Sequence, residues 1–112
     1  MQMADGIQRV RGMLGFATKA GKLRFGADTV LGNLRGRDAP CLVLTTADAS
    51  ENTKKRVHDK CGSAGVRFSA LPLTSEEAGH ITGRAAPVAV IGVYDEGFAS
   101  LISPEQNELK GM

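Results

Sequence analysis

Apolar residues recur at helical spacing in the first part of the chain. The positions concerned are Ile7, Val10, Leu14 and Ala17. Side chains three or four residues apart lie on one face of an α-helix, so this spacing predicts a first helix with a buried stripe. Gly21 follows the stripe, and glycine commonly ends helices because it adopts a left-handed conformation without strain. We therefore expect the first helix to end near Gly21.

A short extended segment and a second helix are predicted next. Residues 23–25 (Leu-Arg-Phe) form the extended segment. The second helix is expected to contain Gly32 and to end at Gly36. Its inward-facing apolar positions are Ala27, Val30, Leu31 and Leu34. This spacing again predicts one buried face on a helix that is otherwise open to solvent.

Three further segments are predicted to be strands, at residues 41–46, 66–71 and 88–93. The first and the last of them are continuous apolar runs. Runs that are apolar on both sides are typical of strands in a sheet that helices cover on each face. The pattern therefore predicts a sheet in the middle of the molecule.

Helix-start signals stand between these runs. Ser50 is a natural N-cap for a helix that begins at Glu51. Thr74 and Glu77 form a capping-box pattern that starts a short helix, and residues 96–102 are predicted to form a closing helix. Because strands alternate with helices, we expect an α/β fold, a three-layer α/β/α sandwich with a mixed central sheet of about four strands.

The length of the chain, 112 residues, suits one domain with its own core. We expect a tail or linker at residues 1–6, the domain at residues 7–102 and a polar tail at residues 103–112. The net charge is only +2, but residues 1–37 hold seven Lys and Arg against two Asp, which is +5. The remainder holds seven cations against ten acids, which is −3. A chain charged in this way can present one cationic face to an anionic partner.

Residues with reactive side chains do not form a catalytic or metal-binding pattern. Cys41 and Cys61 are too few for a zinc set or a disulfide framework, and both stand in apolar patterns typical of core thiols in a reducing compartment. His58 and His80 fall on different predicted helices. No run has the length of a membrane span, and the first residues do not show the basic-then-apolar pattern expected of a leader. We expect a cytoplasmic protein that is not an enzyme, with no cofactor, no metal and no membrane partner.

A cluster of cations and glycines stands just ahead of the predicted second helix. It comprises Lys19, Gly21, Lys22, Arg24 and Gly26. A helix start offers free N–H groups and partial positive charge, so phosphates dock there readily. The cluster has the chemistry of a cradle for an RNA backbone. The alternative interpretation is an ordinary connection between two helices whose cations are only solvated.

Residues 13–23 (MLGFATKAGKL) begin a series of ordered motifs. The later members of the series lie at residues 42–55, 59–61, 83–86 and 95–99. Together these motifs resemble the kink-turn-binding ribosomal-protein superfamily, in its bacterial YlxQ-like branch. The resemblance extends over about residues 10–102, which is nearly the whole predicted domain.

The resemblance implies a non-enzymatic protein that binds structured RNA, either ribosomal RNA or another kinked helix with tandem sheared G·A pairs. It also implies a link to the ribosome or to translation, and we expect a monomer. In the superfamily the start of the second helix enters the widened groove of the RNA, and a loop before the last strand covers a flipped-out nucleotide. The matching helix positions are Gly26, Ala27, Asp28 and Thr29. The matching loop positions are Ala85, Ala86, Pro87 and Val88. The cations expected on phosphates are Lys19, Lys22, Arg24 and Arg84.

Three positions of the second helix depart from the superfamily pattern. Asp28, Thr29 and Gly32 stand where Asn, Glu and Lys are usual. Asp28 accepts hydrogen bonds but cannot donate to guanine acceptors, so we expect weaker discrimination between RNAs. Two alternative functions stay open. The departures are compatible with a protein-interaction module that has lost base readout, and the resemblance is also compatible with the recognition domain of an RNA-modifying enzyme.

Overall fold

Four strands form a single mixed sheet in the computed structural model, which describes residues 2–102, with side chains from Ile7 onward. The strands are β1 (Leu23–Phe25), β2 (Leu42–Thr45), β3 (Arg67–Ala70) and β4 (Val90–Val93). Their order across the sheet is β1-β4-β2-β3. Strands β2 and β3 are parallel, whereas β4 is antiparallel to both β2 and β1. The predicted mixed sheet of about four strands is confirmed.

Within residues 2–102, five helices cover the two faces of this sheet. They are α1 (Gln2–Lys19), α2 (Ala27–Leu31), α3 (Glu51–Ala64), α4 (Ser75–Ile81) and α5 (Glu96–Ile102). Buried residues of α1, α4 and α5 pack with Leu42, Leu44 and Ile91 in one core cluster. Buried residues of α2 and α3 pack with Val43 and Val90 in the other. Alternate residues of a strand point to opposite faces, so both faces carry a core and the three-layer α/β/α sandwich is confirmed.

Local sequence signals fix most helix ends. The Ser50 side chain accepts a hydrogen bond from the Thr53 N–H at 3.1 Å, as expected of an N-cap. Thr74 and Glu77 form both halves of the predicted capping box. At the end of α1, Gly21 has a φ of 72°. Each of these signals acts through hydrogen bonds within a few residues, so the sequence alone was sufficient to locate them.

The prediction for the second helix was wrong in its length. Helix α2 ends at Leu31 with Gly32 as its C-cap, instead of continuing to Gly36. The Gly32 N–H donates to the Asp28 carbonyl at 3.0 Å, and a Cβ at Gly32 would stand 2.8 Å from that same oxygen. Leu34 is nevertheless buried. Leu34 is therefore buried as part of a loop, and its spacing from the other apolar residues did not indicate a longer helix.

The boundaries of the domain stay a prediction. Helix α1 begins at Gln2, and the predicted tail at residues 103–112 lies outside the described residues. In the part of the chain that the structure describes, no helix combines the length and the apolar character needed to cross a membrane.

Candidate nucleic-acid interface

A groove of about 500 Å³ opens between the start of α2 and the loop that joins α4 to β4. One wall consists of Phe25, Gly26 and Ala27, and the other of residues 83–90. Thr53 of α3 also contributes to the lining. The two segments that the resemblance assigns to RNA contact therefore face each other across one concave surface, although almost sixty residues separate them in the sequence.

The first wall depends on the backbone conformation of Gly26. This residue is the N-cap of α2 and has a φ of 99°, which residues with a Cβ rarely adopt. Its N–H donates to the Val90 carbonyl at 3.0 Å, and its carbonyl accepts from the Val30 N–H at 3.0 Å. Because glycine has no side chain to cap the helix, the N–H groups of the first turn stay available to a ligand.

The second wall is attached to the end of α4 by backbone hydrogen bonds. Gly83 has a φ of 75° and its N–H donates to the His80 carbonyl, while the Arg84 N–H donates to the Gly79 carbonyl at 2.8 Å. This pair of bonds is a Schellman motif, which ends the helix and fixes the direction of the following chain. Further along the loop, the Val88 N–H donates to the Ser75 carbonyl at 3.0 Å.

Gly79 allows the loop to lie directly on the backbone of α4. A Cβ at this position would stand 2.5 Å from the Ala86 carbonyl oxygen and 3.4 Å from the Pro87 Cα. The sequence pattern did not predict a role for Gly79 at the site, although a glycine inside a helical pattern often has a packing reason.

An aromatic ring and a guanidinium lie together in the groove. The Arg84 Cζ atom is 4.6 Å from the centroid of the Phe25 ring, within the range of a cation–π contact. Phe25 is partly buried against the core below. This contact holds the Arg84 charge at the groove, and Phe25 is a lining residue that the sequence analysis had assigned only to an extended segment.

Three predicted cations lie outside the groove lining, on β1 and on the chain that leads into it. Arg24 points to the opposite face of β1 from Phe25, and its Cζ atom is 5.5 Å from the Tyr94 ring centroid. Lys22 lies beside Tyr94, whose N–H donates to the Lys22 carbonyl at 2.8 Å. Lys19 is exposed at the end of α1. We call Lys19, Lys22 and Arg24 the cationic edge.

Asp28 and Thr29 are exposed on α2, immediately after the groove residue Ala27. The Asp28 Oδ1 atom is 3.1 Å from Nη2 of Arg56 on α3. Of the twelve predicted site residues, seven line the groove: Gly26, Ala27, Arg84, Ala85, Ala86, Pro87 and Val88. The other five, namely the cationic edge, Asp28 and Thr29, do not.

The shifted pKa values of Cys61, Cys41 and Asp48 have structural causes, namely burial and a hydrogen bond. Burial raises the pKa of the Cys61 thiol to about 11, and burial is also the main reason that the pKa of Cys41 is raised. A thiol with a raised pKa is a poor nucleophile at neutral pH. The Ser75 N–H, which donates to Asp48 at 2.7 Å, lowers the pKa of that carboxyl group. Among the described residues, no group of three or more His, Cys, Asp and Glu side chains is placed to hold a metal ion.

Comparison with solved structures finds the same fold in other proteins. A Bacillus halodurans protein of unknown function superposes with a TM-score of 0.78 at 28% identity, over 88% of this chain and 97% of that one. The 15.5kD RNA binding protein of Giardia lamblia superposes with a TM-score of 0.72 over 96% of this chain and 89% of that one. Its identity is 14%, so it shows the fold alone. Both proteins therefore share the fold of this chain.

Comparison with curated sequences then gives the family. The RNA-binding protein YlxQ of Bacillus subtilis is 40% identical over 88 residues, which is 79% of this chain and 85% of that protein. The RNA-binding protein YlxQ of Enterococcus faecium is 38% identical over 93 residues, covering 82% of this chain and 85% of that protein. No family model matches the chain. On the strength of these relatives, the chain belongs to the YlxQ family.

Proposed function

We propose that this protein binds structured RNA, with a bulged nucleotide in the groove between α2 and the α4–β4 loop, and that it acts by binding alone. One observation carries the proposal. The helix start and the loop expected to contact RNA form opposite walls of one groove. The names of the two YlxQ relatives support RNA as the ligand.

The groove has the size and lining for a nucleobase. Ligand pockets of roughly 300–1,000 Å³ enclose drug-sized molecules, and this groove measures about 500 Å³. The Ala85–Val88 loop supplies an apolar wall, while the Arg84 guanidinium, 4.6 Å from the centroid of the Phe25 ring, supplies a flat surface on which a base can stack. An unstacked base therefore exchanges water for apolar and π contacts here.

Phosphate groups next to the base would meet donors on both sides of the groove. The first-turn N–H groups of α2 lie at one wall, and Arg84 lies at the other. The cationic edge continues the positive charge along β1. Four phosphate contacts, by the three cations of this edge and Arg84, predict a slope of about −3 to −4 in log affinity against log salt, using the coefficient for B-DNA.

The proposed RNA is a kink-turn-like element in ribosomal RNA or in another RNA of the translation machinery. A kinked helix both widens its groove and extrudes a nucleotide, so it presents the two features that this surface can accept together. Sequence-specific RNA recognition commonly targets such unstacked bases. Because Asp28, Thr29 and Gly32 replace the usual reading residues, we propose that shape and phosphate position contribute more than base identity.

A titration with two RNAs tests the proposal. We would measure fluorescence anisotropy with a labelled hairpin that contains a bulge and tandem sheared G·A pairs, and with a fully paired hairpin of equal length. The wild-type protein should prefer the bulged RNA. Ala86→Glu places a carboxylate in the groove and should weaken binding to the bulged RNA by more than about tenfold, because an unpaired anion there meets phosphates and an apolar base.

Ala70→Glu is the matched control for this charge change. Ala70 is exposed on β3, at the opposite edge of the sheet from β1. This variant should bind the bulged RNA within about twofold of the wild type. Equal loss in the two variants, or equal affinity of the wild type for the two hairpins, would refute the proposed site.

A further inference from the structure

We infer that Arg56 is a further RNA contact, which extends the interface from the groove across α2 to α3. This inference rests on the proposed RNA binding. It starts from the contact between Arg56 Nη2 and Asp28 Oδ1, at 3.1 Å, which joins two helices whose residues lie 28 positions apart. Nothing in the sequence pattern distinguishes Arg56 from the neighbouring cations Lys54 and Lys55.

Helix geometry places Arg56 next to the groove. Thr53 of α3 lines the groove, and Arg56 follows three residues later in the same helix. Residues at this spacing lie on the same helix face, about 4.5 Å apart along the axis. The Arg56 guanidinium then reaches Asp28, which directly follows the groove residue Ala27. Positive charge from α3 is thus held beside the mouth of the groove.

The Asp28–Arg56 ion pair is open to water and uses only one contact, so the guanidinium can also bind a phosphate. The Asp28 side chain is 96% exposed and that of Arg56 is 39% exposed, so water screens the attraction between them. A guanidinium carries five N–H donors, and only one contact to Asp28 is formed. The remaining donors suit the paired oxygens of a phosphate. Arg56 also offsets the Asp28 carboxylate, which would otherwise repel the RNA backbone.

The two cations that precede Arg56 in α3, Lys54 and Lys55, are directed elsewhere. The Lys54 Nζ atom donates to the Ala47 carbonyl at 3.4 Å. Lys55 lines a second groove of about 570 Å³, together with His58 and Phe68 beside β3. Lys55 is therefore a matched control for Arg56, since the two residues are neighbours in one helix, carry the same charge and lie on different surfaces.

The test compares Arg56→Ala with Lys55→Ala on the bulged hairpin over a range of salt concentrations. Arg56→Ala should weaken binding roughly tenfold at low salt and reduce the salt slope by about 0.7 to 0.9. Lys55→Ala should change neither quantity by more than experimental error. Arg56→Lys retains the charge and should retain the slope, while losing part of the affinity because the planar fork is gone.

Two outcomes would overturn the inference. Wild-type affinity and slope in Arg56→Ala would show that α3 does not reach the RNA. Equal losses in Arg56→Ala and Lys55→Ala would show a diffuse charge effect without a defined contact. The Ala86→Glu variant, measured in parallel, separates these results from failure of the proposed function. If Ala86→Glu weakens binding as expected while Arg56→Ala does not alter it, the groove remains supported and the α3 contact is refuted.

Discussion

Replacement of Gly79 by alanine should destabilise the protein and displace the loop that forms one wall of the groove. The added Cβ would stand 2.5 Å from the Ala86 carbonyl oxygen, whereas ordinary van der Waals contact begins at 3.4 Å. The difference between these two distances requires a movement of 0.9 Å in the α4 backbone, the loop, or both. Neither can move freely, because the Arg84 and Val88 N–H groups bind carbonyl groups of α4.

Two opposing effects determine how much Gly79→Ala changes the free energy of unfolding. Alanine is favoured over glycine inside a helix by about 0.5–1 kcal/mol. Overpacking against a fixed neighbour costs about 1–3 kcal/mol. We therefore expect Gly79→Ala to lower the free energy of unfolding by about 1 kcal/mol, which shifts Tm by about 4 °C for a domain of this size.

Gly62→Ala is the matched control. Gly62 lies inside α3, and a Cβ at this position meets nothing within 4 Å. The same chemical change should therefore raise the free energy of unfolding by about 0.5–1 kcal/mol. The two substitutions should move Tm in opposite directions, as followed by circular dichroism during thermal and urea unfolding.

The RNA titration adds a second measurement to this pair. Gly79→Ala should weaken binding to the bulged hairpin, since Ala85 and Ala86 move relative to Gly26, whereas Gly62→Ala should bind as the wild type does. If both substitutions stabilised the protein equally, the loop would not lie against the α4 backbone, and the account of the second wall would be refuted.

Two other predictions concern the cationic edge and the core. Lys22→Glu combined with Arg24→Glu should abolish binding to structured RNA and leave Tm nearly unchanged, because both side chains are exposed; retained binding in the double variant would contradict a role for this edge. Burial raises the pKa of the Cys61 thiol to about 11, and only the thiolate attacks a thiol reagent. In a folded Cys41→Ser variant at pH 8, Cys61 should therefore not react with such a reagent, whereas it should react fully in urea. Rapid labelling of the folded variant would contradict the burial of Cys61.

Elements defined by neighbouring residues could be predicted from the sequence. The capping box of Thr74 and Glu77 and the Ser50 N-cap form through hydrogen bonds over three residues. Helix α5 has the predicted bounds, Glu96–Ile102. The apolar runs that became β2 and β4 are buried throughout. In each case the deciding interaction is between neighbouring residues or depends only on hydrophobicity, so the element can be predicted from the sequence.

Elements defined by the packing of distant segments could not be predicted in this way. The length of α2 depends on how Leu34 reaches the core from a loop, and apolar spacing does not distinguish that loop from a longer helix. The contact between Arg84 and Phe25 joins two segments far apart in the chain. Gly79 acquires its role only because the Ala86 carbonyl lies above it.

For this protein, the sequence by itself determined the fold class, the positions of the strands and the residue types around the candidate RNA site, because periodicity, capping and charge are written in short stretches of chain. The tertiary structure alone decided which of those residues share a surface. It brought Gly26 and the Ala85–Val88 loop to one groove, turned Arg24 to the other face of β1 and paired Arg56 with Asp28. Such juxtapositions arise when the sheet and its two helical layers pack together, and no local pattern specifies them.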